Sequence, residues 1–190
     1  MKKGVILASA SPRRLQLLEA AGFEAKVEPS PCAEPENRPP AIPIPLWPIF
    51  LAFTKAYAVQ QKLKTQKIIL GADTIVVLGE KILNKPRDKA HARKMLKSLS
   101  GKRHKVITGV AILRGDEHRL FGATAECQVK KLPADWLEEY LESGRWIGKA
   151  GGYGLQDKGD PFVRLISGEP GTVIGLPMKL VTRELNEVLK

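Results

Sequence analysis

A short apolar run, Val5-Ile6-Leu7-Ala8, ends directly in Ser9-Ala10-Ser11-Pro12-Arg13-Arg14, and this junction constrains the fold more than any other stretch of the chain. The run reads as a buried strand. After it, Leu15, Leu17, Leu18 and Ala21 are spaced for one face of a helix that Gly22 ends. Ser11 suits the N-cap and Pro12 the first turn, where a missing N–H costs nothing. A strand therefore runs into a helix N-terminus carrying two hydroxyls and two guanidiniums. Free backbone N–H groups, the positive end of the helix dipole and forked arginine donors converge there, which suits a polyphosphate. A capped surface helix with two solvated arginines uses the same residues, so the junction by itself leaves both readings open.

The rest of the chain alternates strand and helix. Ala25-Lys26-Val27 reads as a short strand. Residues 29–48 hold eight of the fourteen prolines, so a loop without a regular backbone ladder is expected there. From Ile49 to Lys62, the spacing of Phe50, Phe53, Ala56 and Tyr57 predicts a helix. Lys67 to Leu78 holds two apolar runs separated by Gly71-Ala72-Asp73-Thr74, read as a buried strand interrupted by a polar turn or bulge. Asp88 is placed to cap a helix through Leu99. Val106–Leu113 and Leu120–Val129 read as two strands joined through Arg114-Gly115-Asp116-Glu117. A helix over Pro133–Ser143, a glycine-rich irregular stretch from Gly148 to Gly159, a strand over Phe162–Ile166 and a closing helix from Pro177 follow. The expected fold is a single α/β domain over residues 1–190, a mixed twisted β-sheet flanked by helices.

Composition narrows the class. With 190 residues, 43% of them hydrophobic, the chain can bury a proper core. No apolar run approaches the ~20 residues needed to span a bilayer. The apolar stretch after Met1-Lys2-Lys3 is shorter than the ~7 residues of a secretory signal, and a cytoplasmic location is expected. Cys32 and Cys127 show no metal-type or redox-type spacing, and read as free thiols. A net charge of +11 and a pI near 9.7 favour anionic partners without choosing among them. A basic nucleic-acid-binding protein without catalytic activity is therefore the competing class; it lacks a recognisable module and has little aromatic interleaving for stacking.

Asp73 is the sharpest candidate for chemistry. A carboxylate between two apolar strand halves is costly to bury unless a cation or hydrogen bonds compensate, and a hard divalent metal would do so. An Asp turning a corner, bonded to nearby amides, is the structural alternative. Lys85, in Asn84-Lys85-Pro86-Arg87-Asp88, follows that strand and precedes a helix, where a loop can meet a ligand; a loop lysine is otherwise mostly solvated. Lys55 interrupts an apolar helix, and snorkelling is its bland account. Lys149-Ala150-Gly151-Gly152-Tyr153-Gly154-Leu155-Gln156 allows close backbone approach to a ligand, with Gln156 able to read a base edge. No GxxxxGK[ST] loop, HExxH helix or nucleophile elbow is present. His104 follows a helix end and reads as structural.

Taken together, LASASPRR (7–14), LAFTKA (51–56), GADTIVV (71–77), NKPRD (84–88), LSGKRHKVITGVA (99–111), KAGGYGLQ (149–156) and VIGLP (173–177) resemble, in order, the Maf family of nucleoside triphosphate pyrophosphatases. The resemblance implies an inosine-triphosphatase-like mixed α/β fold with a deep substrate cleft. It also implies metal-dependent cleavage between the α- and β-phosphates, with Mg²⁺ or Mn²⁺ as cofactor. By motif position it makes Arg13 and Arg14 the phosphate and specificity arginines, with Ser9 and Ser11 beside them. Asp73 becomes the catalytic aspartate, Glu34 the loop glutamate, and Lys55 and Lys85 the phosphate lysines. Asp73 and Glu34 would hold the metal. SPRR together with a Gln at position 156 resembles the branch acting on dTTP and UTP, whereas a branch acting on 7-methyl-GTP looks like SPWR; Arg14, Thr74 and Gln156 are the specificity candidates. Modified pyrimidine nucleotides, or other modified nucleotides, would fit the same cleft.

Two segments depart from the family pattern. An acidic pair usually precedes the Pro-containing loop, where this chain reads Cys32-Ala33-Glu34 with Glu36 nearby, and an RLA-type motif is replaced by Phe50-Leu51-Ala52. The partner expected is a nucleoside triphosphate, with neither specific nucleic acid nor membrane, and the resemblance makes a homodimer plausible.

Overall fold

The structure, a computed structural model, describes residues 3–33, 35, 37–155 and 162–189. Seven strands form one mixed sheet: β1 (Lys3–Leu7), β2 (Phe23–Val27), β3 (Ile69–Leu78), β4 (Lys81–Leu83), β5 (Arg103–Arg114), β6 (Glu117–Val129) and β7 (Val163–Ser167). Their order is β2-β1-β3-β5-β6-β7, with β4 paired to β3. β1 runs parallel to both β2 and β3, whereas β3 with β4 and β6 with β7 are antiparallel. The helices are α1 (Pro12–Ala20), α2 (Trp47–Leu63), α3 (Lys89–Leu99), α4 (Ala134–Glu142), α5 (Pro170–Ile174) and α6 (Met178–Val188). The α/β class and the mixed sheet are those expected. The short elements β4 and α5 lie below what periodicity can reveal.

The chain packs as two compact units. The first holds the segment up to Asp73, Thr108–Ala123 and the chain from Gly175 onward. Its core follows from strand alternation, which sends successive side chains to opposite faces. Val5 and Leu7 of β1, with Leu70 and Ala72 of β3, pack with Leu18 of α1 and with Val181, Leu185 and Val188 of α6. Ile6, Ala8 and Ile69 point the other way and pack with Ala52, Ala56 and Val59 of α2. Strands buried on both faces need near-continuous apolar sequence, which is what Val5–Ala8 and Ile68–Ala72 supply.

The second unit holds Thr74–Ile107 and Thr124–Ile174. Here α3 and α4 give Met95, Leu96, Leu99, Leu137, Tyr140 and Leu141 to a core with Val76, Val106, Cys127 and Val129. Asp88 caps α3 as expected, its Oδ1 accepting the His91 N–H at 2.7 Å.

Sequence reading broke β3 at Gly71–Thr74, but the strand runs unbroken from Ile69 to Leu78. Two local features let it do so. A Cβ at Gly71 would stand 2.2 Å from the Ala52 carbonyl oxygen and 2.9 Å from the Ala56 Cβ, so the glycine is where α2 presses onto the strand. Two positions on, the Asp73 carboxylate is balanced by a cation from that same helix.

Candidate active site

That cation is Lys55. Its Nζ donates to Asp73 Oδ1 at 2.5 Å, with the two side chains only 11% and 8% exposed. The close approach at Gly71 explains the pairing. Gly71 and Asp73 share a strand face, and Ala52, Lys55 and Ala56 belong to the helix surface that meets it. Snorkelling, the bland account of Lys55, does not hold, because the ammonium is buried against a carboxylate rather than carried out to water. A buried charge left unpartnered would cost several kcal/mol, so each group is the condition for the other.

The Ser9–Arg14 junction lies beside this pair in register. β1 pairs with β3 at Leu7↔Leu70, and the Ala8 N–H donates to the Leu70 carbonyl at 2.8 Å. The chain leaves β1 at its carboxyl end, while neighbouring β3 continues three residues past Leu70 to Asp73. In open α/β sheets, the carboxyl ends of parallel strands are where ligand crevices form.

Within the junction, Ser11 takes the N-cap position of α1, but its hydroxyl makes no cap bond. Ser9 collects the interactions instead. Its Oγ accepts from the Ser11 N–H at 3.3 Å and from Arg14 Nη1 at 3.0 Å. Arg14 Nε donates to the Gly175 carbonyl at 3.0 Å. The guanidinium is thus held on two edges, and Ser9, Ser11, Arg13 and Arg14 are all half-buried. Gly175 is the site residue that sequence reasoning missed, although it lies within the quoted VIGLP segment. Its φ of +131° is one that other residues rarely adopt, and a Cβ there would stand 3.0 Å from Arg14 Nε.

Two further candidates belong to the second unit. Thr74, half-buried, follows Asp73 on β3 and so faces the opposite side of the strand. Lys85 is exposed on the loop between β4 and α3. That loop is tied to the glycine-rich segment, since the Gly151 N–H donates to the Asn84 carbonyl at 3.1 Å. Glu34, its alternative Glu36, and Gln156 lie outside the described residues.

Among the described residues, no three His, Cys, Asp or Glu side chains come together around a possible metal position. Asp73 offers one carboxylate. That fits an ion held largely by substrate phosphates, because Mg²⁺ typically takes only one or two protein carboxylates in such sites.

Known proteins resemble this chain over nearly its whole length. A Bacillus cereus protein named dTTP/UTP pyrophosphatase is 42% identical over 188 residues, covering 98% of this chain and 90% of its own length. An Exiguobacterium sibiricum protein of the same name is 38% identical over 181 residues, covering 95% of this chain and 90% of its own. Among solved structures, a Mycobacterium abscessus nucleoside-triphosphatase described as a dITP/XTP pyrophosphatase superposes with a TM-score of 0.51. It covers 98% of this chain and 94% of its own, and at 16% identity the likeness is one of fold. The model of the family described as Maf-like protein matches residues 4–188, and the chain belongs to that family.

Proposed function

We propose that this chain is a metal-dependent nucleoside triphosphate pyrophosphatase that acts on dTTP and UTP. The observation that carries the reading is the buried Lys55–Asp73 pair, its carboxylate three residues past the Leu70 that pairs with Leu7, where β1 ends and the Ser9–Arg14 junction begins. The names of the relatives at about 40% identity support it. In the reaction, the oxygen of a water bonds to the α-phosphorus. The bond from that phosphorus to the bridging oxygen breaks, and the electron pair leaves with pyrophosphate. The other product is the nucleoside monophosphate, and the water's proton is released.

Such chemistry needs alignment and charge neutralisation more than covalent catalysis. Arg13, Arg14 and Lys85 neutralise phosphate oxygens. Asp73 orients the attacking water, and Lys55 fixes the carboxylate that does so. A Mg²⁺ or Mn²⁺ ion, held by Asp73 and Glu34, would supply further neutralisation and polarise the water. Thr74 and Gln156 are assigned to recognition of the base. The same reading places the protein in the cytoplasm as a homodimer, with free nucleotides, standard or modified, as its substrates.

The test is pyrophosphate release from a panel of nucleoside triphosphates in Mg²⁺, Mn²⁺ or EDTA. Release from dTTP and UTP, abolished by EDTA and lowered ~10²-fold or more in Asp73→Asn, is expected. No release from either nucleotide, or near wild-type release by Asp73→Asn, refutes the reading.

A further inference from the structure

The second unit contains a buried polar contact for which the chemistry above has no use. His104, on β5, is 3% exposed. Its Nε2 lies 2.5 Å from the Tyr153 hydroxyl, and the two rings meet edge to face with centroids 5.3 Å apart. Its Nδ1 is buried without a hydrogen-bond partner among the described residues. Burial lowers the imidazole pKa to about 4, so it is neutral at neutral pH. The Tyr153 hydroxyl also reaches the Cys127 thiol, so the phenol is held by both β5 and β6.

As a device for stability this is a poor choice. An unpartnered buried nitrogen costs about 1–3 kcal/mol, which an apolar side chain of similar size would avoid. What the contact does achieve is to fix Tyr153, and Tyr153 closes the turn that carries Gly151. That turn takes φ values of +69° and +78° at Gly151 and Gly152. A Cβ at Gly151 would stand 3.1 Å from Val76 and 3.3 Å from the Tyr153 ring, so the turn is clamped between strand β3 and the phenol. From there the Gly151 N–H bonds the Asn84 carbonyl, and a Cβ at Gly152 would stand 3.7 Å from Pro86 Cγ. Asn84 and Pro86 are the two neighbours of Lys85.

We propose that the His104–Tyr153 hydrogen bond is a positioning device, holding the Gly151 turn and, through Asn84 and Pro86, the loop that presents Lys85 to a substrate phosphate. This rests on the role given to Lys85 above. His104 and Tyr153 are positioning residues and touch no reacting atom.

The test is a double-mutant cycle on the intact chain, reading kcat and KM for pyrophosphate release from dTTP alongside the thermal midpoint. Tyr153→Phe removes one oxygen and keeps the ring. It is expected to lower kcat/KM about tenfold, since small misplacements of a positioned group carry large kinetic costs. In a Lys85→Ala background the same substitution is expected to change kcat/KM less than about twofold, because residues acting through one contact are not additive. His104→Gln, whose amide reaches the place of Nε2, is expected to stay within about threefold of wild type, and His104→Leu to match Tyr153→Phe. Equal losses in both backgrounds, or wild-type kinetics in Tyr153→Phe, overturn the positioning role while leaving the pyrophosphatase reading intact. A wild-type chain that releases no pyrophosphate removes both.

Discussion

Replacing Lys55 with Met tests the centre of the argument, because its ammonium is what makes a carboxylate tolerable at Asp73. With the two side chains 11% and 8% exposed and 2.5 Å apart, removing one partner strands the other in a low-dielectric site. Breaking a buried pair in this way costs about 3–5 kcal/mol, a large share of a typical margin of ~5–15 kcal/mol. At ~2–4 °C per kcal/mol for a domain of this size, the thermal midpoint should fall by about 6–20 °C. Lys55→Met/Asp73→Leu removes both charges, and replacing a buried pair by apolar side chains is often neutral or stabilising. The double variant should therefore recover most of the loss, with a coupling of about 2 kcal/mol or more. Urea unfolding followed by tryptophan fluorescence is a direct assay, since buried Trp47 begins α2, and an unchanged m-value licenses the comparison. The double variant should fold as well as the wild type and release no pyrophosphate, which would separate the pair's chemical role from its structural one. Strictly additive costs, or a loss below ~1 kcal/mol in Lys55→Met, would refute the reasoning.

Three further outcomes are expected. Gly71→Ala puts a methyl 2.2 Å from the Ala52 carbonyl, so α2 must shift; a loss of about 3 kcal/mol or more by urea unfolding, together with most of the activity, is expected, and a loss below ~1 kcal/mol would show that the helix yields freely. Arg14→Lys supplies a point charge that cannot bond Ser9 and the Gly175 carbonyl together; KM for dTTP should rise about tenfold with a smaller change in kcat, and an unchanged KM counts against the two-edged clamp. His104 makes stability pH-dependent: its folded pKa, about 4, lies below the ordinary 6.5, so the unfolded chain binds the proton more readily. Its contribution is intact above pH 6.5 and is lost as pH falls towards 4, by about 3 kcal/mol in all; acid unfolding of His104→Leu should lack this component, and identical acid slopes in both proteins would remove it.

Much of this was legible in the residues. Val5–Ala8 running into Ser9–Arg14 announced a strand, a tight exit and a helix, because apolar continuity, a proline at the first turn and the spacing of Leu15, Leu17 and Leu18 are all local signals. The Asp88 cap and the turn joining β5 to β6 were readable for the same reason. β3 was misread because a carboxylate amid apolar residues looks like a break to any local rule. What keeps the strand whole is Lys55, 18 positions back in sequence. Ser11 takes the N-cap position as expected, but that its hydroxyl makes no cap bond lies beyond local rules for the same reason. Which hydroxyl binds depends on Arg14, and Arg14 is fixed by a carbonyl 161 positions away. Gly175 carried a signal in principle, since a glycine just before Leu176-Pro177 invites a conformational explanation, but nothing local says which side chain needs the room.

The Lys55–Asp73 and Arg14–Gly175 contacts share a physical logic that bears on how such a site is encoded. A charged side chain can be held near a sheet only if its helix or its partner backbone comes closer than ordinary side chains allow. At Gly71 the missing Cβ admits α2 and brings Lys55 to the carboxylate; at Gly175 it admits the Arg14 guanidinium to a carbonyl. In both places the residue that determines the charge's position has no chemistry of its own. Substitution at either glycine should therefore damage activity as severely as substitution of the cation it admits, and restoring the cation's charge by any other side chain should not rescue it. The number of positive groups around the junction would be unchanged in such variants. If they retained full turnover, charge alone would be sufficient, and the close packing of α2 and of Gly175 would be incidental to the site.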